Sequence, residues 1–154
     1  MPRSVWSESR TPWSTITSLR TVTATDVWVF YESLPEGSRD TLTSTERGIA
    51  AICDWRQEVN ADGFEGYFAY WGGNTAAEAL SALPTCLGQE WADLLEQAMR
   101  LFGPSYPTEQ SRRESLIEEL DLYDAFDALD QRFYDLEGSS EADARLTAAL
   151  ADLA

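Results

Sequence analysis

The sequence predicts an all-α fold: a single-domain bundle of about six to eight helices behind a loose Ser/Thr-rich start. Three observations predict it. From Asp26 onward the apolar residues recur at helical spacing, and nothing comparable alternates with period two. Four segments open on a hydroxyl residue followed three positions later by an acid, the spacing of a capping box. Leu122, Phe126, Leu129, Phe133 and Leu136 step by four, three, four and three, which is one apolar face of a helix.

Along the chain, residues 1–25 stand apart. They hold eleven Ser or Thr and a net charge of +2, from Arg3, Arg10 and Arg20 against Glu8. With little helical periodicity they are expected to be loose, or partly extended through ITSLRTVTAT, and their arginines are candidates to fold back on an acidic body. Residues 26–154 are expected to form that acidic all-α domain. Thr43 to Glu46 opens a helix that buries Ile49, Ile52, Cys53 and Val59, and Thr75 to Glu78 opens the next. A helix near 89–102 aligns Trp91, Leu94, Leu95, Ala98 and Phe102, and Gly103 in GPSYP ends it. Ser111 to Glu114 and Ser140 to Asp143 open two more, on either side of the 121–136 stripe. Connections are expected at 34–40, 72–74, 103–107 and 137–139.

Composition removes much chemistry. All eleven basic residues are Arg, with no Lys and no His. There is therefore no Ser-His or Cys-His dyad, no histidine metal ligand, no Schiff-base lysine and no P-loop lysine. Neither GxSxG nor GxGxxG occurs, and Cys53 and Cys86 make neither a metal spacing nor a disulfide framework. The sequence thus points away from an enzyme, and no catalytic residue, cofactor or metal is expected. No apolar leader or long apolar run appears, so the expected compartment is the cytoplasm. The net charge of −16 repels nucleic acid and anionic membrane, and it attracts basic proteins.

The stretch EVNADGFEGYF, residues 58–68, invites three readings. Glu58, Asn60, Asp62 and Gly63 imitate positions 1, 3, 5 and 6 of a calcium loop, but Gly66 and Ala69 stand where positions 9 and 12 need ligands. A small-ligand or enzymatic pocket behind the turn would draw on Glu58, Asn60 and Tyr67. The structural reading is favoured: Asn60 bonds back at a helix end, Asp62-Gly63 turns the chain, and Phe64, Tyr67, Phe68 and Trp71 form one face of a following helix.

The spacing E-x-N-x-x-G-F-x-x-Y-F over Glu58 to Phe68, then Gly73-Asn74 and A-x-E-A-L-x-A-L over Ala76 to Leu83, resembles a bacterial family of small acidic helical proteins named for a DNA mimic. FDALDQRFY, Phe126 to Tyr134, is similar to a second piece of that family, L-x-x-L-D-x-x-F-Y. The resemblance covers roughly residues 43–136. The family turn usually reads E-V-N-N-G-G-F, and Ala61 and Asp62 depart from it here. The resemblance implies an all-α fold and, in the namesake, an acidic surface that occupies the DNA-binding face of a transcription factor. It implies no catalytic residue.

The acid distribution suits such a role. Residues 114–152 hold twelve acids against Arg132 and Arg145, a net −10 in 39 residues. The candidate partner-binding face is Glu114, Glu118, Asp121, Asp124, Asp127, Asp130 and Asp135. Asp121, Asp124, Asp127 and Asp130 recur every third residue, one carboxylate per ~4.5 Å of helix, on the side expected to point away from the apolar seam. B-DNA carries one charge per ~1.7 Å of axis, so adjacent acidic helices or a homodimer are needed to approach it. The expected partner is a basic protein surface: a DNA-binding regulator or, alternatively, a basic toxin neutralised by an immunity- or antitoxin-like protein. Direct nucleic-acid and membrane contacts are not expected.

Overall fold

The computed structural model describes residues 26–35 and 38–153, so the expectations for residues 1–25 lie outside it. Among the described residues all regular structure is helical. Seven α-helices follow one another: α1 (Val27–Glu32), α2 (Ser44–Ala69), α3 (Ala76–Cys86), α4 (Gln89–Arg100), α5 (Gln110–Glu119), α6 (Tyr123–Ser139) and α7 (Ala142–Ala151). A 3₁₀ turn, Trp71–Thr75, joins α2 to α3.

Helix α2 is the axis of the bundle. From Gly48 to Arg56 every residue is buried, so this segment is covered on all sides rather than along one stripe. Helices α3, α5 and α6 pack along it, α4 bridges α3 and α6, and α1 pairs with α7. Gly48 sets the α2–α3 approach: a Cβ there would stand 2.6 Å from that of Ala82. The seam on α6 lies where the stripe placed it. Leu122, Phe126, Leu129 and Phe133 are buried, with Leu136 packed on the same core.

Aromatic rings fill the centre. Trp55 meets Trp91 and Phe133 edge-on with centroids 5.8 and 5.2 Å apart, while Phe64 stacks on Phe68 and Phe126. Each such pair adds about 0.5–1.5 kcal/mol to the area that the rings bury. Three buried polar atoms, Trp55 Nε1, Trp91 Nε1 and Tyr67 Oη, have no hydrogen-bond partner among the described residues.

The helix starts agree with the sequence reading better than the caps do. Thr43 and Glu46 form a complete reciprocal box, at 3.1 and 2.9 Å. Thr75 precedes α3 but donates its hydroxyl to Asp54 at 2.8 Å. Ser111 lies one residue inside α5, and Ser140 ends α6 without capping α7. The connection expected at 137–139 is the last turn of α6, and that expected at 72–74 is 3₁₀.

Candidate interaction surface

The stretch at residues 58–68 is a kink inside a helix. Asn60 donates its side-chain N–H to Arg56 O at 2.8 Å, one turn back, and the helix runs on to Gly63. Gly63 has φ +73° and ψ −178°, a region that side chains exclude, and from Phe64 the chain is helical again. This second helical half needs an N-terminal cap, which comes from 66 residues away: the Phe64 N–H donates to Asp130 Oδ1 at 2.8 Å. A Cβ on Gly63 would stand 2.6 Å from Asp130 Oδ2. Asp130 is therefore half-buried against α2 and does not share the outward side of α6 expected for it. Burial pushes its carboxyl up, the Phe64 N–H opposes that, and Asp127 and Glu65 push it up further.

Three arginines, Arg56 and Arg113 buried and Arg39 partly so, are each met by oxygens and an aromatic ring. Asp54, itself buried, takes a bidentate pair from Arg39 at 2.9 Å and a hydrogen bond from Tyr31 at 2.5 Å, besides that of Thr75. Arg39 also lies 5.3 Å from the Trp71 ring centre. Arg56 grips Glu137 through two N–H groups, at 2.6 and 2.8 Å, reaches Asp143 at 2.8 Å, and lies against Trp28. Its burial, which would lower its affinity for the proton, is outweighed by these carboxylates.

Arg113 is different, because no described carboxylate pairs with it. Its five N–H groups go to Phe68 O, Pro107 O, Thr108 O, Tyr70 O and Asn74 Oδ1, at 2.7, 3.2, 3.1, 3.1 and 2.7 Å. Phe68 and Tyr70 lie at the C-terminal end of α2, where free carbonyls and the helix dipole favour a cation. The guanidinium thereby fixes residues 68–74 to α5.

These contacts decide what the candidate residues are free to do. Glu114, Glu118, Asp121, Asp124, Asp127 and Asp135 are exposed, and no described basic residue forms an ion pair with them. Asp121 precedes α6 in a left-handed turn, φ +52°, so the regular spacing of four aspartates crosses a corner and then loses Asp130 to the kink. The acidic surface continues onto α2, where Asp62 and Glu65 are exposed beside the kink. Phe64, Tyr67 and Phe68 are core. Glu58 and Tyr67 meet over Gly72, whose Cβ would stand 3.1 and 3.2 Å from them, while Asn60 faces Glu137 across the helix. The pocket reading needs all three together, and Asn60 is turned away. Among the described residues no cluster of three or more metal-binding side chains occurs, and no helix is long and apolar enough to cross a membrane.

Sequence reasoning named none of Asp54, Arg56 or Arg113. The first two carried a signal, since they interrupt the apolar run IAAICDWRQEV. The partners of Arg113 lie as far as 45 residues away, and nothing local marks them.

Comparison with curated proteins found no match, and neither did comparison with solved structures. A family model does match, that of DMP19-like protein, over residues 40–152. That span takes in the kinked helix, its Asp130 cap and the acidic helices, and it covers most of the 154 residues: the chain belongs to the DMP19-like protein family.

Proposed function

We propose that this chain is a non-enzymatic acidic interaction protein that takes the place of DNA on the basic surface of a DNA-binding regulator. The observation behind the reading is a set of exposed carboxylates on α5, α6 and the turn between them that no described basic residue pairs with: Glu114, Glu118, Asp121, Asp124, Asp127 and Asp135. Arg39, Arg56 and Arg113 are engaged by other groups, and none of them forms an ion pair with these carboxylates. Family membership and the family's DNA-mimic namesake support it. A basic partner steered by such a field associates fast, and salt slows it.

The test captures partners from lysate on the tagged protein and elutes them with salt, then with competing duplex DNA. The reading expects a basic DNA-binding protein released by both. Asp121→Asn, Asp124→Asn and Asp127→Asn together should weaken capture about tenfold at low salt, with helix content unchanged. Unchanged affinity of that triple variant sinks the reading. A basic toxin released by salt but indifferent to DNA replaces it with the immunity-like alternative.

A further inference from the structure

The aromatic run leaves the core where α2 ends: Tyr70 is its C-terminal cap and Trp71 opens the 3₁₀ turn, so Trp71 does not share the helix face expected of it. Tyr67 and Phe68 are fully buried, but Tyr70 and Trp71 are 51 and 52% exposed. The backbone of the pair is tied down, and Arg39 lies over the Trp71 ring, 5.3 Å from its centre. Tyr70 N–H donates to Gly66 O at 3.0 Å, and Tyr70 O accepts from the buried Arg113. The next residues, Gly72 and Gly73, are buried, and Asn74 is tied to Arg113 as well.

Two carboxylates flank the pair. Asp62 and the Tyr70 ring both border Gly66, whose Cβ would stand 3.6 Å from the Tyr70 ring carbon Cε2. Glu58, one helical turn before Asp62, packs on Gly72, directly after Trp71. Neither carboxylate forms an ion pair with a described basic residue. Burial raises the Glu58 proton affinity, and Asp62 and Asp54 raise it further, whereas a nearby cation would favour the ionised carboxylate.

The chain itself shows what such a combination holds. Arg39 is held by Asp54 and the Trp71 ring, and Arg56 by Glu137, Asp143 and the Trp28 ring. In both, a planar guanidinium lies on an aromatic face with carboxylates at its edge, a geometry that ammonium satisfies less well. We propose that Tyr70, Trp71, Glu58 and Asp62 form an anchor for an arginine side chain projecting from a basic protein partner. The anchor rests on the acidic-interaction reading and deepens it: the α5–α6 carboxylates steer, and the aromatic pair fixes the register.

Fluorescently labelled hexa-arginine and hexa-lysine peptides, titrated onto the full chain at low ionic strength, test this. The anchor predicts tighter binding of the arginine peptide. Tyr70→Ala with Trp71→Ala, which changes no charge, should weaken it about tenfold and abolish the preference over lysine. Glu58→Gln with Asp62→Asn should cost more than Asp121→Asn with Asp124→Asn, which removes the same charge elsewhere. Far-UV circular dichroism checks each fold, and the single variants Tyr70→Ser and Trp71→Ala serve where the double variant unfolds. Neutral aromatic variants with equal losses from both acid pairs overturn the anchor and leave the acidic reading standing. No binding of either peptide overturns both. If Arg3→Ala, Arg10→Ala and Arg20→Ala together raise the affinity tenfold or more, the occupant is the chain's own N-terminal segment, and the partner anchor is overturned.

Discussion

Gly63 and Asp130 act as one device, and each can be tested through the other. At φ +73° and ψ −178° an alanine is strained by about 1–3 kcal/mol, and its Cβ also displaces the Asp130 carboxylate from the Phe64 N–H. Gly63→Ala should therefore destabilise the fold by about 3 kcal/mol, the strain plus a lost cap. Asp130→Ala should lose only the cap, about 1 kcal/mol, and Asp130→Asn, which keeps an acceptor and removes repulsion from Asp127 and Glu65, should lose less still. Denaturant unfolding of the three variants checks the order. If Asp130→Ala proves neutral, water caps Phe64 adequately and the kink is held by packing alone.

Between elements, the lesson concerns competition for hydrogen-bonding groups. Hydrophobic period located the helices, because burial follows the same three-four spacing in the sequence and in the fold; the α6 seam from Leu122 to Leu136 is the clearest case. The same logic misassigned Asp130. It falls where an isolated helix would turn it to solvent, but the kink of α2 passes there and takes its carboxylate. Thr75 is parallel, its hydroxyl going to Asp54 across the fold rather than to the helix that it precedes. Local rules mark where a cap can form, and tertiary partners decide whether it does. Arg113 is the extreme, since it satisfies five acceptors that no local pattern brings together. Arg113→Ala should cost about 3–5 kcal/mol by stranding these carbonyls and opening a cavity. Arg113→Lys, with three donors on a tetrahedral head, should recover less than half of that loss. Urea midpoints give both numbers; full recovery by lysine would show that charge at the end of α2 matters and the planar fork does not.

For the whole molecule, acid excess and two half-buried carboxyls tie stability to pH in the same direction. The carboxyls of Glu58 and Asp130 have raised proton affinity in the folded state, through burial first and acidic neighbours second. Each then holds a proton in the native protein at a pH where the unfolded chain has released it. Its stabilising contribution is complete below the ordinary carboxylate value and is lost as pH rises through the raised one. Acidification from neutrality toward the ordinary carboxylate range should thus stabilise the protein, and the relief of self-repulsion in a chain of net charge −16 acts in the same direction. The melting temperature should rise on mild acidification from neutrality. Glu58→Gln with Asp130→Asn should flatten that rise, because neither amide titrates. A melting temperature that falls steadily on acidification from neutrality, or a slope that the double variant leaves intact, would mean that these two carboxyls do not set the acid response. The excess charge would then be screened by solvent across the whole surface, and the exposed carboxylates of α5 and α6 would lose much of the field that the interaction reading requires of them.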